Sequence, residues 1–411
     1  MKPHSAPLIV ALAIALVPFT TGCGSDDGSN ASGGGGSGGT SGSGGGSTGG
    51  SGGTGAGGTG GGASGGAAGA TNPDDGPPAG WPDGNAAVPA AGQAEDVSSP
   101  TTVIGDGTPA SCTGDAFVSA VAKGGIITFD CGPDPVTITL TKTAKVFNDK
   151  GTKLVIDGGG KVTLSGGGNV RILYMATCDK AQVYPPGPGD CNTNPGVQLV
   201  VQNLTFVDGS AVGISDGSNN SGGGGAIHAQ GGSLKVVNCR FFNNVCDPLG
   251  SDVGGGAIRK LDYLVAPGAG PARPVWVVNS TFGGKDGLGN SCANGGALSS
   301  IGVSWNIYNS LFSYNTAVGH GANSGDGGNG GAVYNDGNEI VLNVTSSLME
   351  HNQANEGGSA VFFVSNNKTG SLTLTDSIFR LNPKGTFETP GFPGFYIIAK
   401  ADPTVVNTTI E

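Results

Sequence analysis

The alternation of apolar and polar positions divides the 411-residue chain into three unlike parts. The first is an unbroken apolar run, Leu8–Val17, preceded by Lys2. The second, residues 31–70, has no apolar pattern: 23 of its 40 positions are glycine and the others are Ser, Thr or Ala. A segment without large apolar side chains cannot offset its ordering entropy, so it is expected to stay unfolded. The third part consists of short valine-rich runs bounded by Gly and Asn. Leu234–Phe241 is typical, and such runs predict half-buried β-strands.

Two motifs repeat through this third part. Gly-Gly-Ala followed by an aliphatic residue occurs at Gly224–Ile227, Gly255–Ile258, Gly295–Leu298 and Gly330–Val333, with a looser copy at Gly357–Val361. The second is a β-rich run closing on a large apolar residue: Phe206, Phe241, Phe282, Phe312, Met349 and Phe379. An asparagine follows three residues later at Asn244, Asn315, Asn352 and Asn382. The motifs alternate, roughly 28 to 41 residues apart within each series. A strand–turn–strand–turn unit of this length cannot bury its inner face alone. Stacking such units about 4.8 Å apart builds one continuous core. Equivalent positions then form ladders, one of the six large apolar residues and another of Asn203, Asn238, Asn279 and Asn309. The expected fold is therefore all-β, a right-handed parallel β-helix. Asp115–Lys123 predicts a short N-terminal capping helix, followed by opening strands at Ile126–Phe129 and Val136–Leu140. Gly391–Ile398 and Val405–Ile410 are expected as a closing strand pair.

The alternating GGA-aliphatic and F-x-x-N motifs, over about residues 150–383, resemble the repeats of polymorphic outer-membrane proteins. The passenger regions of that family are right-handed β-helices of the pectin-lyase-like type. The expected departure from that family is the lack of a C-terminal membrane barrel after the repeats, with lipid on Cys23 as the anchor in its place. At the other end, Thr20-Thr21-Gly22-Cys23 after the apolar run resembles a bacterial lipobox. That resemblance implies a signal peptide over residues 1–22, a lipidated Cys23, and an export route ending at the outer membrane or cell surface, since Gly24 follows the cysteine. Residues 23–96 are expected to be a disordered linker and 97–411 the β-helix domain. As a coil, residues 24–70 would reach roughly 40 Å on average and about 160 Å when stretched. Residues 71–96 add prolines and five acids and are expected to be extended and unfolded.

Charge narrows the partners. From residue 97 onward there are 23 acidic and 18 basic residues, with no basic stripe to replace counterions, so nucleic acid is excluded as a partner. The membrane is contacted through the N-terminal lipid, a polysaccharide or surface protein is the other expected partner, and the body is expected to be a monomer.

Eight cysteines suit an oxidising compartment. The expected pairs are Cys112 with Cys131 across the cap, Cys178 with Cys191 across a Pro-rich loop, and Cys246 with Cys292. The last two both lie two residues after an asparagine at the end of a repeat. Cys239 is left as a buried free thiol. No paired C-x-x-C spacing supports a metal site, and no cofactor is expected.

The fold class that the repeats resemble hosts polysaccharide lyases and hydrolases, but fold alone does not assign a reaction. The acids and the five arginines of the body are scattered through different repeats, and the two adjacent Asp-Asp pairs, Asp26-Asp27 and Asp74-Asp75, lie in the linker. His320, between two glycines, reads as a solvated turn residue, with Asp326, Asp336 and Glu339 the nearby acids. Because strand faces alternate, the residue after each GGA-aliphatic motif should point outward. His228, Arg259, Ser299, Tyr334 and Phe362 then form an exposed aromatic and basic stripe suited to sugar rings or a partner protein. Non-catalytic adhesion or glycan contact is the expected role. A polysaccharide-active enzyme and a structural envelope spacer are the alternatives.

Overall fold

The computed structural model describes residues 76–183, 195–214, 222–262 and 273–411. The signal segment, Cys23, the linker up to residue 75 and Cys191 lie outside the described residues.

The described chain is a parallel β-helix. Its repeating turn is seen most simply in Val275–Val278, Thr281–Gly283 and Leu298–Ile301, followed by Trp305–Tyr308, Leu311–Ser313 and Val333–Gly337. The first two strands of each turn belong to a 17-stranded sheet and the third to an 8-stranded sheet. Short strands in the long turns, such as Thr316–Ala317, add a 3-stranded sheet. Each strand pairs in parallel with its equivalent one turn away.

The predicted ladders are present. Phe206, Phe241, Phe282, Phe312, Met349 and Phe379 stand in register and are fully buried. The first four rings stack at 4.6–4.9 Å and within 4° of parallel. At the corner between the first two strands, Asn203, Asn238, Asn279 and Asn309 all adopt positive φ, which asparagine tolerates better than most residues. Their amides bond along the stack, Asn238 Nδ2 to Asn203 Oδ1 at 3.0 Å and Asn279 Nδ2 to Asn238 Oδ1 at 3.2 Å.

A buried ladder, Asn244, Asn290, Asn315, Asn352 and Asn382, satisfies the next corner. Each of the first four donates through Nδ2 to the next residue's Oδ1 and to the main-chain carbonyl of a ladder phenylalanine. Asn290 breaks the three-residue spacing because the turn Gly284–Gly289 is inserted before it.

The GGA motif has two distinct causes. Its first glycine (Gly224, Gly255, Gly295, Gly330) sits at positive φ, where an added Cβ would meet the carbonyl three residues on. A Cβ on the second (Gly225, Gly256, Gly296, Gly331) would meet a carbonyl of an adjacent turn.

The ends are closed by helix α1 (Gly114–Lys123), whose Phe117, Ala120 and Val121 are buried, and by strands Phe395–Ile398, Thr404–Val406 and Thr409–Ile410. The two predicted closing strands do not pair with each other: Phe395–Ile398 extends the 8-stranded sheet, while Thr404–Val406 lies on Ser371–Thr375. Cys112 bonds to Cys131 and Cys246 to Cys292, with Cys239 buried and free. Cys178 is also disulfide-bonded.

Residues 76–96 correct the expected boundary. They are not an unfolded continuation of the linker but a strap folded along the outside of the helix. Gly80 N donates to Thr281 Oγ1, Trp81 N to the Asn309 carbonyl and Asn85 N to Ser346 Oγ. Ala86 and Asn309 exchange two hydrogen bonds, and Glu95 and Gln202 exchange two more. The Glu95 carboxylate meets Lys235 at 2.5 Å and Lys153 at 2.7 Å. The outward row near the strap's return runs Val155, Val200, Lys235 and Trp276, apolar except for the lysine that meets Glu95. One turn beyond Trp276 the same row becomes Asn306 and then Asn343.

Candidate functional site

The third strand of each turn starts at the aliphatic residue of the GGA motif. Ile227, Ile258, Leu298, Val333 and Val361 face the core. Alternation turns the next residues, His228, Arg259, Ser299, Tyr334 and Phe362, to the outer face, and consecutive members are paired in register. Tyr174 extends this row before His228, and Tyr396 extends it after Phe362. The row therefore exists as the sequence predicts. Its exposure does not: relative accessibility is 0% at His228, Arg259 and Ser299, 1% at Tyr334 and 3% at Phe362.

The cause is the length of the turns that precede these strands. The turn at 247–254 folds back over Arg259 and Ser299. Arg259 Nη1 donates to Ser299 Oγ at 2.5 Å and its Nη2 to the Asp252 carbonyl. Asn294 pins the same turn by donating to the carbonyls of Gly250, Ser251 and Val253. Further along, Phe387 packs edge-on against Tyr396 at 4.7 Å.

The row has two chemically different halves. At its N-terminal end, Tyr174 lies 5.3 Å from His228, and the Arg171 guanidinium stands 5.3 Å from the Tyr174 ring. Arg171 Nε and Nη2 donate to the carbonyls of Gly224 and Gly223. Burial, followed by the nearby Arg171 and Arg259 charges, holds the His228 imidazole well below its ordinary value, so it is neutral.

The C-terminal half is aromatic. Tyr334 stacks on Phe362 at 4.9 Å and 4°, and Phe362 on Tyr396 at 5.1 Å and 26°. Val364, Phe387 and Ile398 complete the cluster, and Phe387, Tyr396 and Ile398 are half-buried rather than sealed. This is where the row reaches solvent. Beside it, Tyr334 Oη donates to Asp336 Oδ2 at 3.3 Å, and Asn366 Nδ2 donates to Asp336 Oδ1 at 2.8 Å. Burial raises the Asp336 carboxyl above its ordinary range, with these two bonds opposing the shift. Burial also pushes the Tyr334 phenol up, and the charges of Asp336, Arg259 and Asp252 all reach it.

The remaining candidates separate. His320 is exposed in a turn, with its Nε2 3.3 Å from Asn355 Nδ2, while Asp326 bonds to it only through the main chain. Asp336 belongs to the stripe instead, and Glu339 is exposed. Among the described residues, no group of three His, Cys, Asp or Glu gathers for a metal ion.

Sequence reasoning missed Tyr174, Tyr396 and Phe387. Tyr174 precedes the first GGA motif, Tyr396 lies in a strand with no GGA motif before it, and Phe387 comes from a turn. Only the alternation Phe395-Tyr396-Ile397 could have signalled Tyr396. No family model, no curated protein and no solved structure matches the chain.

Proposed function

We propose that this chain is an exported, lipid-anchored β-helix held away from a membrane by its N-terminal linker. On this reading its body makes non-catalytic contact with a glycan or a surface protein. The observation that carries the reading is the aromatic half of the outer row. Three rings are stacked at fixed spacing on a rigid sheet, and the stack ends in the half-exposed Tyr396 and Phe387. Aromatic side chains with two rotatable angles lose little entropy on binding, and a rigid sheet holds them in place. Asp336 and Asn366 supply hydrogen-bonding groups next to the rings. The lipid on Cys23 and the outer-membrane destination rest on the resemblance of Thr20–Cys23 to a lipobox.

The test is retention of the full chain on surfaces coated with peptidoglycan, pectate, cellulose or chitin, and on intact envelope preparations. The reading expects retention that falls at least tenfold in the Phe387→Ala/Tyr396→Ala variant. Equal retention of both forms would sink it.

One observation favours a catalytic alternative. Tyr334 Oη donates to Asp336 in the row that also carries Arg259 two strands away, and a phenol bonded to a carboxylate is able to move a proton. Its discriminating readout is unsaturated product released from polyuronates, lost in Tyr334→Phe. The burial of Arg259 and Tyr334 beneath the turns favours the binding reading over this one.

A further inference from the structure

A second feature lies away from the aromatic row, where the second strand of each turn enters the long turn. One residue past the in-register residues Ser313, Glu350 and Arg380, the chain bends through positive φ. The equivalent corner in earlier turns uses Asp208 and Asn243, and the corner on the other side of the strand uses Asn, Ser or Asp throughout. Here the residues are Tyr314 (φ 62°), His351 (φ 55°) and Leu381 (φ 55°). Neither tyrosine nor leucine is favoured in the left-handed region, which histidine enters more readily, and Leu381 is 58% exposed. Unfavourable backbone held at Tyr314 and Leu381, in the turns on either side of His351, with side chains turned outward rather than into the core, points to a role for those side chains outside the fold.

Beside His351 and Leu381 lies a depression of about 500 Å³, lined by these two with Gln353, Pro383, Pro393 and Glu411, together with Asn382. That volume is within the range of small-molecule sites. Tyr314 and His351 stack at 4.8 Å and 10°. His351 lines the depression and Tyr314 does not. Leu381 and the two prolines give an apolar floor. Gln353, His351 and Glu411 place an amide, an imidazole and a carboxylate around it. The Asn382 amide is committed to the carbonyls of Met349 and Arg380 and to Asn352.

We infer that this depression binds a neutral pyranose. Such a sugar has a flat C–H face to lie on the imidazole, leucine and prolines, and hydroxyls that both donate and accept at the polar rim. A uronic acid fits poorly, because the lining contains a carboxylate and neither Lys nor Arg.

The probes are maltotetraose, cellotetraose and chitotetraose, added to the full chain at millimolar concentration and followed by saturation-transfer NMR. At least one is expected to receive magnetisation, concentrated on one ring face. His351→Asn/Leu381→Asn, which restores a residue suited to each corner, should keep the fold by circular dichroism and lower the signal at least tenfold. Gln353→Ala, at an exposed position outside both ladders, should weaken the same probe severalfold and serves if the double variant does not fold. No transfer from any of the three probes overturns the inference. So does a signal unchanged in these variants, or one abolished only by Phe387→Ala/Tyr396→Ala. In that last case the aromatic row would be the sugar site, and the proposed function would stand without the second site.

Discussion

Replacing Phe241 with alanine removes the central ring of the core ladder. The ring is fully buried and is stacked on both faces, 4.9 Å from Phe206 and 4.6 Å from Phe282. Because turns above and below are locked in register through sheet pairing, neither neighbour can collapse into the gap. The cost is therefore expected at the upper end of the range for buried Phe→Ala, about 4–5 kcal/mol. Phe241→Leu fills most of the volume but loses both stacks, and should cost about 1–3 kcal/mol. In a solenoid, where each turn contacts only its neighbours, the damage is local. Urea denaturation followed by far-ultraviolet circular dichroism gives the totals. Hydrogen exchange should lose protection first in the strands carrying Phe206, Phe241 and Phe282, with the strands carrying Phe379 affected least. A cost for Phe241→Ala below about 1.5 kcal/mol, or a uniform loss of protection over the whole chain, would refute the ladder as the organising element of the core.

Other expectations are independent of that one. Leu381→Asn relieves an unfavourable left-handed backbone at an exposed corner and should raise stability by about 0.5–1 kcal/mol in the same urea assay; a lower midpoint would argue against strain at this corner. Asn244→Ala leaves the Gly209 N–H without its acceptor and the Phe206 carbonyl without that donor, and should cost about 2–4 kcal/mol. Lys260 is wholly buried, donating to the carbonyls of Gly231 and Leu261 beside Asp262, and burial pushes its ammonium down to about 8. Above that pH the folded state loses the proton while the unfolded chain keeps it up to about 10.5. Stability should therefore rise by about 1 kcal/mol or more between pH 7.5 and 9.5, and the rise should vanish in Lys260→Met. Burial raises the Glu95 carboxyl, but its bonds and charge contacts with Lys153 and Lys235 outweigh this and bring it below its ordinary value. The strap should thus stay docked at neutral pH and loosen only as the pH falls through that lowered value. Glu95→Gln should expose residues 88–96 to hydrogen exchange at neutral pH, and unchanged exchange would show the ion pairs to be dispensable.

The repeating core could be read from sequence because its ladders use residue types that nothing else in the chain requires at that period. A phenylalanine every 30 to 41 positions and an asparagine beyond it leave few alternatives to stacking. The pairing of Cys246 with Cys292 followed from the same register. The stripe was legible as a register but not as a surface. Alternation says which way His228 and Arg259 point, whereas the turn at 247–254 decides whether water reaches them, and a turn's path is not periodic.

Residues 76–96 were illegible for a different reason. Their proline-rich, acidic composition gives little core-forming apolar area. What holds them is main-chain hydrogen bonding to the side chains of Thr281, Asn309, Ser346 and Gln202, together with one glutamate between two lysines. None of these is visible in local composition. The corner residues Tyr314 and Leu381 run against propensity, so no propensity argument could have placed them.

The central claim, that the body acts by contact through the aromatic end of its outer row, is tested most directly by one paired measurement. The full chain and its Phe387→Ala/Tyr396→Ala variant are titrated against the surface that retains the protein, while released product is monitored in the same samples. Binding weakened at least tenfold in the variant, with no product from either form, is the predicted result. Equal affinity of the two forms, or product that depends on Tyr334, would contradict it.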